Sequence, residues 1–159
     1  MSEKARNVVL TMAVLGCVVS LGGCCTIGLK QCEVQDQLTL LASNDLNNCN
    51  DTQSVPVNVR VYYLTQKDRF LNSVFEDLWF KPDEVLGADA TLSPQACTVF
   101  PGGTETIMMP TRPLGATHIG VVANFCRESG SSHRIFALDK NGLRQTIRLD
   151  KTNLVTAGD

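Results

Sequence analysis

The clearest periodic segment of the chain runs from Val55 to Leu64. Val55, Val57, Val59, Val61 and Tyr63 fall on one side of a two-residue period, and Pro56, Asn58, Arg60, Tyr62 and Leu64 on the other. β-Branched and aromatic residues at that spacing predict a strand buried on one face. Leu38, Leu40 and Ala42, between Gln37 and Ser43, predict an earlier half-buried strand. Thr104–Met109, Ile119–Phe125, Ile135–Leu138 and Leu143–Leu149 continue the pattern, with a weaker strand around Leu92. Pro101-Gly102-Gly103 marks a turn, and Asn141-Gly142 is a strong hairpin signal. Seven to eight short strands with turns between them predict a mostly β chain folded as an antiparallel β-sandwich.

The period changes once. Phe70, Leu71, Val74, Phe75 and Leu78 recur at helical spacing. Thr65-x-x-Asp68 reads as a capping box with Asp in place of Glu. Pro82 and Gly87 bracket a second, shorter helix. Together they predict a short helical insertion after the second strand, its apolar stripe packed on a sheet.

Between the first two strands lies Asn44–Ser54, with four asparagines and two aspartates in eleven residues. Such residues bond their own backbone and favour turns. Leu46 is an apolar residue within this polar loop. Asp45-x-Asn47-x-Cys49 matches the start of a calcium loop, but the sixth position is Asn50 and the twelfth Pro56. The sharp-turn glycine and the bidentate glutamate are both missing, so no metal is expected.

The N-terminus changes the setting of the domain. Lys4 and Arg6 precede an apolar run, Val8–Val19, and then small residues, Ser20–Gly23. Leu21-Gly22-Gly23-Cys24 has the form of a lipobox, with residues 1–23 as the signal peptide. A membrane-spanning helix needs about 20 apolar residues, whereas Val8–Cys25 is eighteen residues long and includes three glycines, Thr11 and Ser20. The expected organisation is therefore a signal over residues 1–23, a lipidated N-terminus and tether over 24–36, and the sandwich over 37–159. Cys24 is the expected lipid attachment site. Position +2 is Cys25 and not aspartate, which by the usual sorting rule for such lipoproteins indicates the outer membrane.

Charge and cysteine content add two limits. The formal charge is −2 with no basic cluster, which argues against nucleic acid. Five of the seven cysteines remain beyond the signal and the lipid site. In an oxidising compartment some should pair. Cys97 with Cys126 is the first expectation and Cys32 with Cys49 the second, among many pairings that spacing leaves open. No Cys-x-x-Cys occurs, and neither histidine stands at a zinc-ligand spacing from a cysteine pair.

Catalytic patterns are absent from the sequence. The only histidines, His118 and His133, each begin a strand, and neither Gly-x-Ser-x-Gly nor His-Glu-x-x-His occurs. No enzyme activity and no cofactor other than the covalent lipid are expected.

One set of residues resembles a known family. It comprises Leu38-x-Leu40-x-Ala42-Ser43-x-x-Leu46-Asn47, Pro56-Val57-x-Val59-Arg60-Val61-Tyr62-x-Leu64 and the Phe70/Phe75/Leu78 helix. It continues with Leu86-Gly87-x-Asp89, Pro101-Gly102 and Ile119-Gly120-Val121-Val122-Ala123-x-Phe125. In this order, behind a lipobox, they resemble TssJ, the outer-membrane lipoprotein of the type VI secretion system. Cys126 stands where that family often has Arg, and His133 where it tends to have Trp. The resemblance implies a transthyretin-like sandwich that helps to assemble an envelope-spanning complex. It further implies that the loop between the first two strands binds the periplasmic C-terminal domain of TssM, the inner-membrane component. Leu46, flanked by Asn44, Asp45, Asn47 and Asn48, is the expected docking point. The alternative is a lipid-anchored periplasmic module that takes a small ligand or glycan at the open end of the sandwich.

Overall fold

The computed structural model describes residues 35–50, 52–127 and 131–156. The expected signal segment, Cys24, Cys32 and most of the expected tether lie outside them. The strands are β1 (Gln37–Ala42), β2 (Val57–Leu64), β3 (Gln95–Val99), β4 (Thr104–Met108), β5 (His118–Asn124), β6 (His133–Ala137), β7 (Arg144–Asp150) and β8 (Asn153–Thr156). Between β2 and β3 stand three short helices, α1 (Asp68–Asn72), α2 (Phe75–Phe80) and α3 (Pro82–Leu86). No helix among the described residues is long and apolar enough to cross a membrane.

The strands form two four-stranded sheets, ordered β4-β1-β7-β8 and β3-β2-β5-β6. Every neighbouring pair is antiparallel except β1 and β7, which run parallel from Gln37–Arg144 to Ala42–Leu149. The two-residue period explains the layering. Leu38 and Leu40 of β1 and Ile147 and Leu149 of β7 face Val57, Val59, Val61 and Tyr63 of β2 and Ile119, Val121 and Ala123 of β5. These side chains form the main core between the sheets.

β2 is covered on its second face as well, beyond the one-sided burial expected from its pattern. Tyr62, Leu64 and Val122 point away from the other sheet and pack under Phe70, Leu78 and Leu86 of the helices. Gly120 permits this contact. A Cβ there would lie 2.5 Å from the Phe70 ring, so the ring rests on bare backbone.

The helical insertion differs from its predicted form. Thr65 caps nothing; its hydroxyl donates to Asp89 Oδ1 at 3.2 Å, and α1 has no side-chain cap. One buried residue per helix, Phe70, Leu78 and Leu86, is enough to pin three separate short turns. Leu71 and Val74 of the apolar stripe stay exposed. Pro82 does open α3, and Gly87 closes it at φ +50°.

Two strand assignments also change. Leu92 lies outside the strands, and the edge strand is β3. Asn141-Gly142 is not a hairpin turn, because it connects β6 in one sheet to β7 in the other. The Asx turn is real, with Asn141 N–H donating to Asp139 Oδ1 at 3.1 Å. It serves a crossing between sheets.

Candidate functional site

β1 begins beside Asp36 and ends beside Ser43, about 20 Å away at the rise of a six-residue strand. It therefore connects two ends of the sandwich that carry different chemistry.

At the first end sits Asp36, wholly buried. Arg112 grips its carboxylate twice, with Nε at 2.9 Å from Oδ2 and Nη2 at 2.6 Å from Oδ1. Tyr63 donates its hydroxyl to Oδ2 at 2.8 Å, and the Leu143 N–H donates to Oδ1 at 2.6 Å. Arg112 also donates from Nη1 to the Asp139 carbonyl at 2.7 Å. Burial alone would raise the Asp36 carboxyl, but the bonds from Arg112, Leu143 and Tyr63 outweigh it and hold the group below its ordinary value. The bond to Asp36 raises Arg112, while burial and then Asp36 raise Tyr63. Asp36 was expected to end a plain tether. It instead fastens the start of β1 to the end of β2, the β4–β5 loop and the β6–β7 connection. Its partners lie 27 to 107 residues away, so no local spacing advertises the cluster.

At the second end the Asn44–Asn47 segment turns back onto the sheets. Ser43 O accepts from Leu46 N–H at 3.2 Å and Gly102 N–H at 3.0 Å, and Asn47 N–H donates to Lys151 O at 2.6 Å. The turn carries Leu46 into the main core, fully buried. Leu46 is therefore not the exposed docking point that its polar setting suggested. Asn47 is buried too, in the left-handed region at φ +51°. Its side chain donates to Pro56 O at 3.3 Å and accepts the Cys126 N–H at 2.8 Å. These two residues hold the loop. Asn44, Asp45 and Asn48 keep solvent contact.

The β3–β4 turn completes this end. Ala42 N–H donates to Gly103 O at 2.9 Å. Gly102 has φ +69°, and a Cβ on it would fall 2.5 Å from Asn44 Oδ1, so glycine suits both the backbone and the contact. Phe100, at the start of that turn, is 59% exposed. Its turn meets Ser43 and Asn44 through Gly102, two residues on. Its position next to Pro101-Gly102-Gly103 was the available signal, since a turn leaves a preceding aromatic little core to enter.

The disulfide joins Cys49 to Cys126, with Cα atoms 6.1 Å apart, within bridging reach. This corrects both expected pairings. Cys97 of β3 is a free thiol. It lies opposite Val59 of β2, and β2 stands between it and β5, which leads to Cys126. Cys32 lies outside the described residues. Burial and then Glu105 push the Cys97 thiol up to about 11.

Cys97 lines a pocket of about 290 Å³ with Asn58, Val59, Arg60, Trp79, Ala96 and Thr98. The Trp79 ring is already engaged. The Arg60 guanidinium lies 4.1 Å from its centroid, and Phe75 stacks on it at 5.8 Å. His118 Nδ1 lies 2.7 Å from Thr117 Oγ1, and His133 packs edge-on against Phe70. Burial, with Lys67 beside His118 and Arg134 beside His133, lowers both imidazoles. Among the described residues no three His, Cys, Asp or Glu side chains converge on a metal-sized space.

Known proteins identify this arrangement. The family described as type VI secretion lipoprotein (VasD, EvfM, TssJ) matches residues 35–153. The chain belongs to that family. The matched span includes Asp36, the Asn44–Ser54 loop and the β3–β4 turn. No curated protein matches the chain in sequence. Among solved structures, Serratia marcescens Lip, a membrane-bound component of the type VI secretion system, is 19% identical. It covers 79% of this chain and 96% of its own, with a TM-score of 0.68. The lipoprotein TssJ1 from Pseudomonas aeruginosa is 18% identical over 77% of this chain and 94% of its own, with a TM-score of 0.71. A chain in the structure of the TssM C-terminal domain from EAEC is 19% identical over 77% and 96%, with a TM-score of 0.65. At these identities the likeness is one of fold, and it extends over nearly the whole of each related chain.

Proposed function

We propose that this type VI secretion lipoprotein is held on the outer membrane by a lipid on Cys24. Its far end binds the periplasmic domain of a TssM-like inner-membrane protein. Membership of the family supports the role in the membrane complex. The observation that carries the geometry is the separation of the two ends. Asp36, where the lipidated segment joins the domain, lies at one end of β1, and the Asn44 loop lies at the other. A protein hung from one membrane by the first end offers the second to a partner rooted in the opposite membrane.

The binding surface moves from the expected set. Leu46 and Asn47 shape the loop from inside, and Asn44, Asp45 and Asn48 form its polar rim. Phe100 takes the part of the apolar anchor. An exposed aromatic beside polar hydrogen-bonding groups is the usual make-up of a compact protein interface.

Affinity capture from detergent-solubilised envelope tests the assignment. The tagged full chain should retain a large inner-membrane protein, and a Phe100→Asp variant should lose it. Capture of no inner-membrane protein by the intact chain would refute the role.

A further inference from the structure

The tether end of the domain has an unusual surface. Leu114 is 102% exposed, so no other part of the domain covers it. It sits at the tip of the β4–β5 loop, between Pro113 and Gly115. The loop itself is held at both sides. Arg112 is fixed by Asp36 and the Asp139 carbonyl. Ala116 N–H donates to Pro113 O at 3.2 Å, and Thr117 donates from its backbone to Leu64 O and from its hydroxyl to Thr65 O. A braced loop thus displays an apolar tip two residues from the arginine that holds Asp36. Exposed Met108 lies opposite Gln37, the first residue of β1. Arg144 is also opposite Gln37, and Lys140 lies in the connection whose Asp139 carbonyl bonds Arg112; both cations are exposed.

We infer that this end rests on the lipid surface to which the chain is anchored. Leu114 enters the boundary between headgroups and acyl chains, and Lys140 and Arg144 meet anionic headgroups. The occupant follows from connectivity. Asp36 lies twelve residue steps from Cys24, a reach of about 40 Å when fully extended. That short link makes the contact intramolecular, so even a weak insertion is populated. Its effect is to orient the domain, with the Asn44 and Phe100 end directed away from the bilayer. The inference rests on the reading that Cys24 carries lipid.

The test uses the full lipidated chain in vesicles of phosphatidylcholine and phosphatidylglycerol with brominated acyl chains. Trp79, the single native tryptophan, supplies the baseline. Leu114→Trp should be quenched about twofold more than Phe100→Trp, with a blue-shifted emission, as expected for a residue at the acyl boundary. Leu114 touches no core atom, so the variant keeps the fold. Equal quenching of the two variants in protein that floats with the vesicles would overturn the contact and leave the lipid reading standing. Failure of the wild-type chain to float would overturn both.

Discussion

The Asp36 carboxylate takes two hydrogen bonds from Arg112, across 76 residues of sequence and with its own side chain fully enclosed. A buried charge of this kind is costly to leave unpaired. Asp36→Ala should lower stability by about 3 kcal/mol, read from denaturant unfolding. Its pH signature has a definite sign. The folded carboxyl lies below its ordinary value, so its stabilisation is present above the unfolded pKa of about 3.9 and is lost as pH falls through the folded pKa. Melting temperature should therefore fall in acid for the wild type and change less for Asp36→Asn. Identical acid profiles would remove the cluster's role.

Leu46 offers a sharper contrast. As an exposed anchor it would tolerate truncation. As a fully buried residue of the main core it will not. Leu46→Ala should cost about 3 kcal/mol by leaving a cavity, measured by thermal unfolding of the free protein. A stability unchanged within about 0.5 kcal/mol, the usual surface response, would return Leu46 to the outside.

The cysteines can be assigned by peptide mapping after alkylation without reductant. Cys49 and Cys126 should escape labelling, and Cys97 should react slowly at neutral pH and faster as pH approaches about 11. Reduction should cost about 4.5 kcal/mol for a bridge across a sequence separation of 77 in the chain-entropy account. A labelled Cys126, or a Cys97–Cys126 peptide, would contradict the pairing.

The fold was legible where one strand's own residues decide its burial. β2 and β5 show this, since alternation alone separates Val59 and Val121 from their outward neighbours. It was not legible where distant partners decide. Asn141-Gly142 specifies a turn, but a turn does not specify which sheet the next strand joins. Leu46 reads as exposed because its neighbours are polar, yet Ser43, Lys151 and Gly102 fold the loop inward. Asp36 reads as tether because Tyr63, Arg112 and Leu143 are far off in sequence. The Asn44–Ser54 loop stands out as a candidate through family resemblance, whereas Phe100 is marked in the sequence by the turn that follows it and comes near Asn44 only through that turn's bond to Ser43.

The two-ended arrangement makes one measurement decisive. Titration calorimetry with the periplasmic domain of the TssM-like partner should compare wild type, Phe100→Asp with Asn44→Ala, and Leu114→Asp. The Phe100/Asn44 variant should bind at least about tenfold more weakly, or about 1.4 kcal/mol, with unfolding unchanged. Leu114→Asp, at the opposite end, should bind as wild type does. Undiminished affinity in a folded Phe100/Asn44 variant, or lost affinity in Leu114→Asp, would contradict the account.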